Sequence, residues 1–204
     1  MNKDKLIKIL IPVVAVVVII ESVLLVPSLT KNSGSEVTES EREEPILEME
    51  EERLPVADFV FATDTKEMKV GKSYKVVLNL VGKENFAVDA VEAYVSYDPK
   101  MVTVSGLTQG KDLPVKEILQ ADNSTGLISS VFLVDVNDRA GYQVKLDEMK
   151  EVFSFMVTPK SEGEFSLELV SEADEGELVT VLPETGTSDQ LPFNTSRLDI
   201  NVTK

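Results

Sequence analysis

The hydrophobic pattern of the chain changes twice. From Leu6 to Val26, 17 of 21 residues are apolar, with an unbroken run from Val16 to Ile20. That is long enough for one helix to cross the hydrocarbon core of a bilayer. Membrane helices tolerate a proline such as Pro12. Lys8 and Glu21 lie near the two ends, where long side chains can reach the interface. Residues 27–55 show no apolar periodicity. From Val56 onward the pattern becomes short alternating runs separated by turn signals, as half-buried strands require.

The alternation is clearest in Ser73–Val81, where Tyr74, Val76, Leu78 and Leu80 share one face. Val88–Tyr97 follows the same rule. Val91, Ala93, Val95 and Tyr97 face one way, and Ala90, Glu92, Tyr94 and Ser96 the other. Asp98-Pro99 ends that strand, because proline lacks the donor and restricts its neighbour. Further strands are expected at Val56–Ala62, Met101–Leu107, Leu127–Val134, Lys150–Thr158, Glu164–Ala173, Glu177–Leu182 and Arg197–Val202, with a weaker one at Lys116–Gln120. Asp122–Gly126 is a turn cluster, and Leu146–Lys150 is the one stretch that suggests a helical turn. Phe59, Phe61, Phe132, Phe153, Phe155 and Phe165 are candidate core residues. About nine strands without a βαβ rhythm predict an all-β fold, a nine-stranded β-sandwich with jelly-roll topology.

Charge supports a division into three parts. Residues 1–26 carry a net +1, residues 27–55 a net −6 and residues 56–204 a net −11 of the total −16. The expected organisation is a transmembrane signal anchor (1–26), an acidic disordered linker (27–55) and one folded domain (56–204). Leu24–Ser28 offers no small-residue cleavage site, and the absence of Cys excludes a lipid-modified lipoprotein. Lys3, Lys5 and Lys8 precede the span, and Lys31 is the only base soon after it. The expected topology is therefore single-pass in the cell membrane, with the N-terminus cytoplasmic and the C-terminal domain extracellular.

Composition narrows the chemistry. Without His or Cys there is no Ser-His-Asp triad, no Cys nucleophile, no ordinary zinc site and no disulfide. The net charge argues against nucleic acid. The absence of Trp removes the best platform for stacking on sugars. No enzymatic activity and no cofactor are expected. The one cation considered is Ca²⁺, because Asp135, Asn137 and Asp138 offer hard oxygen ligands. They lack the spacing, central Gly and terminal Glu of an EF-hand loop, so a solvated acidic loop is the plainer reading. Leu182-Pro183-Glu184-Thr185-Gly186 fits the sortase signal Leu-Pro-x-Thr-Gly, but a polar stretch and a closing strand follow it, so it reads as a loop. Asn123, Asn194 and Asn201 begin Asn-x-Ser/Thr sequons.

Three stretches of the domain resemble the cohesin-like modules. Val88–Val104 carries a strand ending in Tyr97-Asp98-Pro99 and then a short strand, as cohesins do. Val70-Gly71-Lys72-Ser73-Tyr74-Lys75-Val76 is similar to the family's "Val-Gly-x-x-Phe-x-Val" opening, and Glu151–Val157 to its "x-Phe-x-x-x-Phe-x-Val" strand. The resemblance spans Val56–Lys204 and implies a nine-stranded jelly roll. Cohesins bind calcium-loaded dockerin modules through one sheet face. Carried over, that implies partner-binding residues Glu92, Tyr94 and Ser96, with Asp135 and Asn137 at the border. The expected function is a non-catalytic binding or scaffolding module displayed on the cell surface. Its partner would be a dockerin-like or other surface protein. The alternatives are a carbohydrate-binding β-sandwich taking a polysaccharide, or a purely structural ectodomain.

Overall fold

The computed structural model describes residues 53–135, 137–171, 178–187 and 189–204. The stretch expected as a membrane anchor and almost all of the expected linker lie outside the described residues. Among the described residues thirteen strands run in chain order as β1 (Ala57–Thr63), β2 (Glu67–Lys69), β3 (Tyr74–Gly82), β4 (Phe86–Val88), β5 (Ala90–Tyr97), β6 (Val102–Gln109), β7 (Val115–Asp122), β8 (Leu127–Leu133), β9 (Tyr142–Val144), β10 (Met149–Pro159), β11 (Gly163–Leu169), β12 (Phe193–Thr195) and β13 (Arg197–Thr203). Nine of them have seven or more residues and four have three. No described residue is helical. The stretch Leu146–Lys150, expected as a helical turn, is a tight turn instead. Asp147 adopts φ 57° there, and β10 starts at Met149.

The strands form a five-stranded sheet, β12-β1-β3-β10-β6, a six-stranded sheet, β2-β13-β11-β5-β8-β7, and a small pair, β4-β9. Alternation decides which side of each strand is buried. In β13 the exposed residues Arg197, Asp199, Asn201 and Thr203 alternate with buried Leu198, Ile200 and Val202. In β3, Val76, Leu78 and Leu80 are fully buried and face the core. All six phenylalanines expected in the core are buried, and Phe59 packs edge-on against Phe193 with ring centroids 5.2 Å apart. Every member of this core lies between Val56 and Val202. Residues 51–204 are thus one compact unit with a hydrophobic core of its own.

Two departures from regular pairing shape the five-stranded sheet. Opposite β3, the register of β10 shifts between Glu151 and Phe153, so Val152 is an extra residue and both Val152 and Phe153 turn inward. Opposite β10, β6 carries an extra residue near Gly106, which adopts φ 60°.

One polar side chain fixes the end of the six-stranded sheet. Asn123 Oδ1 accepts from Val104 N at 2.8 Å and from the Tyr97 hydroxyl at 3.0 Å, while its Nδ2 donates to Val104 O at 2.9 Å. Gly126 closes the same turn with φ 77°, and a Cβ there would lie 2.1 Å from Tyr97 O. The Asn123 sequon is therefore spent on structure, whereas Asn194 and Asn201 are exposed. Replacing Asn123 with Ala orphans both polar groups of Val104. The expected loss is about 2–3 kcal/mol with an unchanged m-value, measured by urea denaturation of residues 51–204. A loss below about 0.5 kcal/mol would contradict this role.

Candidate binding face

β5 lies inside the six-stranded sheet, so both of its edges need partners. On one edge it pairs with β8 from Ala90↔Leu133 to Ser96↔Leu127. On the other, β11 covers only Val95 to Tyr97. The remainder is completed by Leu178–Thr187, which returns to the same edge after residues 172–177. Glu92 and Val181 exchange backbone hydrogen bonds at 3.0 and 3.2 Å. Asp89 N donates to Pro183 O at 2.9 Å, and Thr185 N donates to Ala87 O at 3.0 Å. At the junction Tyr94 N finds a side chain instead, donating to Thr180 Oγ1 at 3.1 Å.

This arrangement accounts for the Leu-Pro-x-Thr-Gly motif. Leu182 is fully buried in the core, and Pro183 and Thr185 complete the edge of β5 and of the residues just before it. The motif was expected as a loop. The structure makes it an edge segment, because β5 would otherwise bury unpaired backbone groups. The Thr185 and Tyr142 hydroxyls are buried without a hydrogen-bond partner among the described residues. Burial is also the main reason why the Tyr142 phenol is pushed well above its ordinary value.

The register sets out the solvent side of β7, β8 and β5 in rows. Val115, Leu133 and Ala90 form the first, then Ile118, Val131 and Glu92, then Gln120, Ser129 and Tyr94. Asp122, Leu127, Ser96 and Glu168 form the last. Glu92, Tyr94 and Ser96 thus share one face. Glu92 and Ser96 are half-buried. Tyr94, expected as a surface residue, is only 6% exposed. Its hydroxyl donates to Glu92 Oε2 at 3.4 Å, and burial, then the Glu92 charge, raises its pKa. Ser96 Oγ donates to Glu168 O at 3.4 Å.

Asp135 and Asn137 follow β8 at the Ala90 end of this face, where Val134 N donates to Asp89 O at 2.9 Å. Asp135 Oδ1 accepts from Asn137 N at 2.8 Å and from Asn137 Nδ2 at 2.9 Å, and these bonds lower its pKa. Asp135 also lines a cavity of about 550 Å³ together with Asp89, Leu133 and Thr185. Among the described residues no group of three or more His, Cys, Asp or Glu is placed to hold a metal ion.

The sequence reading missed the aliphatic part of the face. Val115 is 63% exposed, Ile118 41% and Leu133 39%, side by side on β7 and β8. The signal was available in Leu127–Leu133, whose outward positions include Val131 and Leu133. β7 read as weak because its apolar residues fall on both sides, Val115 and Ile118 outward and Leu119 and Ala121 inward.

At the start of the domain Arg53 grips Glu184 with two hydrogen bonds, at 2.9 and 3.2 Å, and lies 3.8 Å from Glu84. The Arg53 guanidinium, chiefly through its hydrogen bond, holds the Glu184 carboxyl below its ordinary value. A lowered carboxylate pKa contributes stability above the unfolded value of 4.5, and that stability is lost as pH falls through the lower folded value. Wild type should therefore exceed Glu184→Gln in stability at pH 7 by under about 1 kcal/mol, as suits a pair open to solvent. The gap should close below pH 4.5. Thermal unfolding of the two proteins across pH measures it, and a gap that widens in acid would contradict the assignment.

The chain matches no known protein family by sequence, and no curated protein matches it. Its fold is that of cohesin modules. The third cohesin of ScaC from Acetivibrio cellulolyticus, solved in complex with the ScaB dockerin, is similar with a TM-score of 0.54 and 15% identity, covering 72% of this chain and 98% of that one. A cohesin of a Coh-OlpA-Doc918 complex from Clostridium thermocellum gives a TM-score of 0.54 at 10% identity, over 72% and 99% of the two chains. The cohesin module of a family 33 glycoside hydrolase from Clostridium perfringens gives 0.52 at 12% identity, over 73% and 98%.

Proposed function

We propose that the chain is a non-catalytic docking module, anchored in the cell membrane, that binds a protein partner of dockerin kind on the outer face of β11-β5-β8-β7. The observation that carries this reading is the exposed aliphatic strip Val115–Ile118–Leu133 beside Glu92. Apolar surface flanked by polar positions is what a protein interface uses. The likeness to cohesins solved with dockerins supports the choice of partner. In this reading the nine longer strands form the jelly roll of the module, and the three-residue strands patch its edges. Glu92 supplies a charge at the middle of the contact. Tyr94 acts from beneath it, by holding the Glu92 carboxylate, and Asp135 and Asn137 border it.

Leu6–Val26 is the anchor, and Lys3, Lys5 and Lys8 keep the N-terminus cytoplasmic, so the domain is displayed outside. Protease added to intact cells should then remove the domain; full protection would overturn the orientation.

Residues 51–204, used as bait against the surface and secreted proteins of the same cells, should retain a specific partner. Glu92→Lys and Ile118→Arg should each weaken its binding at least about tenfold, as central interface positions do. Retention unaffected by both substitutions would remove this face from the function.

A further inference from the structure

We propose that the opposite sheet carries a second site, a polar groove for an uncharged glycan chain on the outer face of β3-β10-β6. This site does not rest on the docking reading. The groove has a volume of about 600 Å³ and lies over β10, with walls from β6, the residues after it and Lys75 of β3.

The face that carries it breaks the usual rule for a solvent-facing side. Asn79 and Ser154 point away from the core, since Leu78, Leu80, Phe153 and Phe155 on either side of them face inward. Both are nonetheless more than nine-tenths buried, at 7% and 4% exposure. Neither side chain takes part in any side-chain hydrogen bond among the described residues. Ser154 lines the groove, and Asn79 stands across the β3–β10 pair from Glu151, which lines it too. Among the described residues only the Tyr142 and Thr185 hydroxyls are fully buried without a partner, so the polar atoms of Asn79 and Ser154 keep contact with solvent. These two are left for water, or for a ligand that replaces it.

The two register shifts of β10 lie on either side of Ser154, one toward β3 and one toward β6. Such irregularities re-aim side chains and recur beside functional sites. At the second shift Gly106 keeps the groove open, because a Cβ there would come within 3.2 Å of Met156 Cγ.

The chemistry of the lining points to a polyol. Thr108 and Ser154 offer hydroxyls, Asp112 and Glu151 carboxylates, and Lys75 and Lys111 ammonium groups. The two free charges of each sign balance, since Lys150 is already paired with Glu148 at 2.8 Å. Donors and acceptors alternating without net charge suit the hydroxyls of a neutral sugar chain better than an anion or a cation. Phe155, the aromatic residue of the lining, is buried in the core, so recognition would be by hydrogen bonds and weak.

The test is a titration of isotope-labelled residues 51–204 by NMR with soluble hexasaccharides of glucose, xylose and N-acetylglucosamine. At least one should perturb amides of β6 and β10 around Thr108 and Ser154. Ser154→Leu, which fills the floor, should weaken binding at least tenfold. Thr108→Val, a mild change on an exposed strand, should weaken it several-fold while the spectrum stays folded. Glu92→Lys, on the other sheet, should bind the sugar as wild type does. Absence of perturbation with all three sugars, perturbations mapping to β5 and β8, or wild-type binding by both groove variants would each overturn the proposal.

Discussion

The second edge of β5 is the constraint around which the six-stranded sheet is arranged. A strand inside a sheet must satisfy its backbone groups on both sides, and a buried group left unpaired costs about as much as a lost hydrogen bond or more. β8 satisfies one side along the whole length of β5. β11 satisfies only three residues of the other. The chain must then come back, and Leu178–Thr185 does so in antiparallel sense, with Thr180 Oγ1 bridging the gap at Tyr94. The return also puts Leu182 into the core, where it is fully buried. Tyr94 sits at the meeting point of the two segments, beside Val170 and Thr180, and this crowding explains why an outward tyrosine has almost no exposed surface.

The same constraint separates what the sequence could tell from what it could not. Strands with one strongly apolar side were readable. Residues 73–81 and 88–97 alternate cleanly, and their structures keep Val76, Leu78 and Leu80, or Val91, Ala93 and Val95, in the core. The end of β5 at Tyr97-Asp98-Pro99 was readable from the chemistry of proline. Leu178–Thr187 was readable only in part: a strand was expected at Glu177–Leu182, where the described residues form isolated bridges instead, and the pairing with β5 follows from a vacancy on another strand about 90 residues away, not from local periodicity. Its proline and glycine argue locally for a loop, and tertiary pairing overrides them. β2 and β12 are three residues each and pair in parallel with β13 and β1, a relation that no local pattern encodes.

Electrostatics contribute at the margins. Among the described residues most ion pairs are open to solvent, and Arg197 bridges Glu168 and Asp199 with 60% of its side chain open. Pairs of that kind add little stability. A domain with a net −11 gains cohesion from its apolar core and from polar side chains that satisfy backbone, Asn123 above all. The acidity of the domain is therefore a property of its surface, compatible with the fold but not responsible for it.

The residues that distinguish the two outer faces are those that break the alternation rule, and for that reason the sequence could not rank them. Alternation assigns a side to each residue and expects polar groups outward. Val115, Ile118 and Leu133 are outward and apolar, which a pattern reader takes for a weak strand. Asn79 and Ser154 are outward, polar and buried, and from sequence they look like ordinary surface residues. The first departure arises because an aliphatic strip lies beside the free edge of β7. The second lies at and beside β10, where two register shifts flank Ser154 and Asn79 of β3 pairs across from Glu151. Both are properties of how strands pair, and the two faces lie on different sheets. A partner on one leaves the other open.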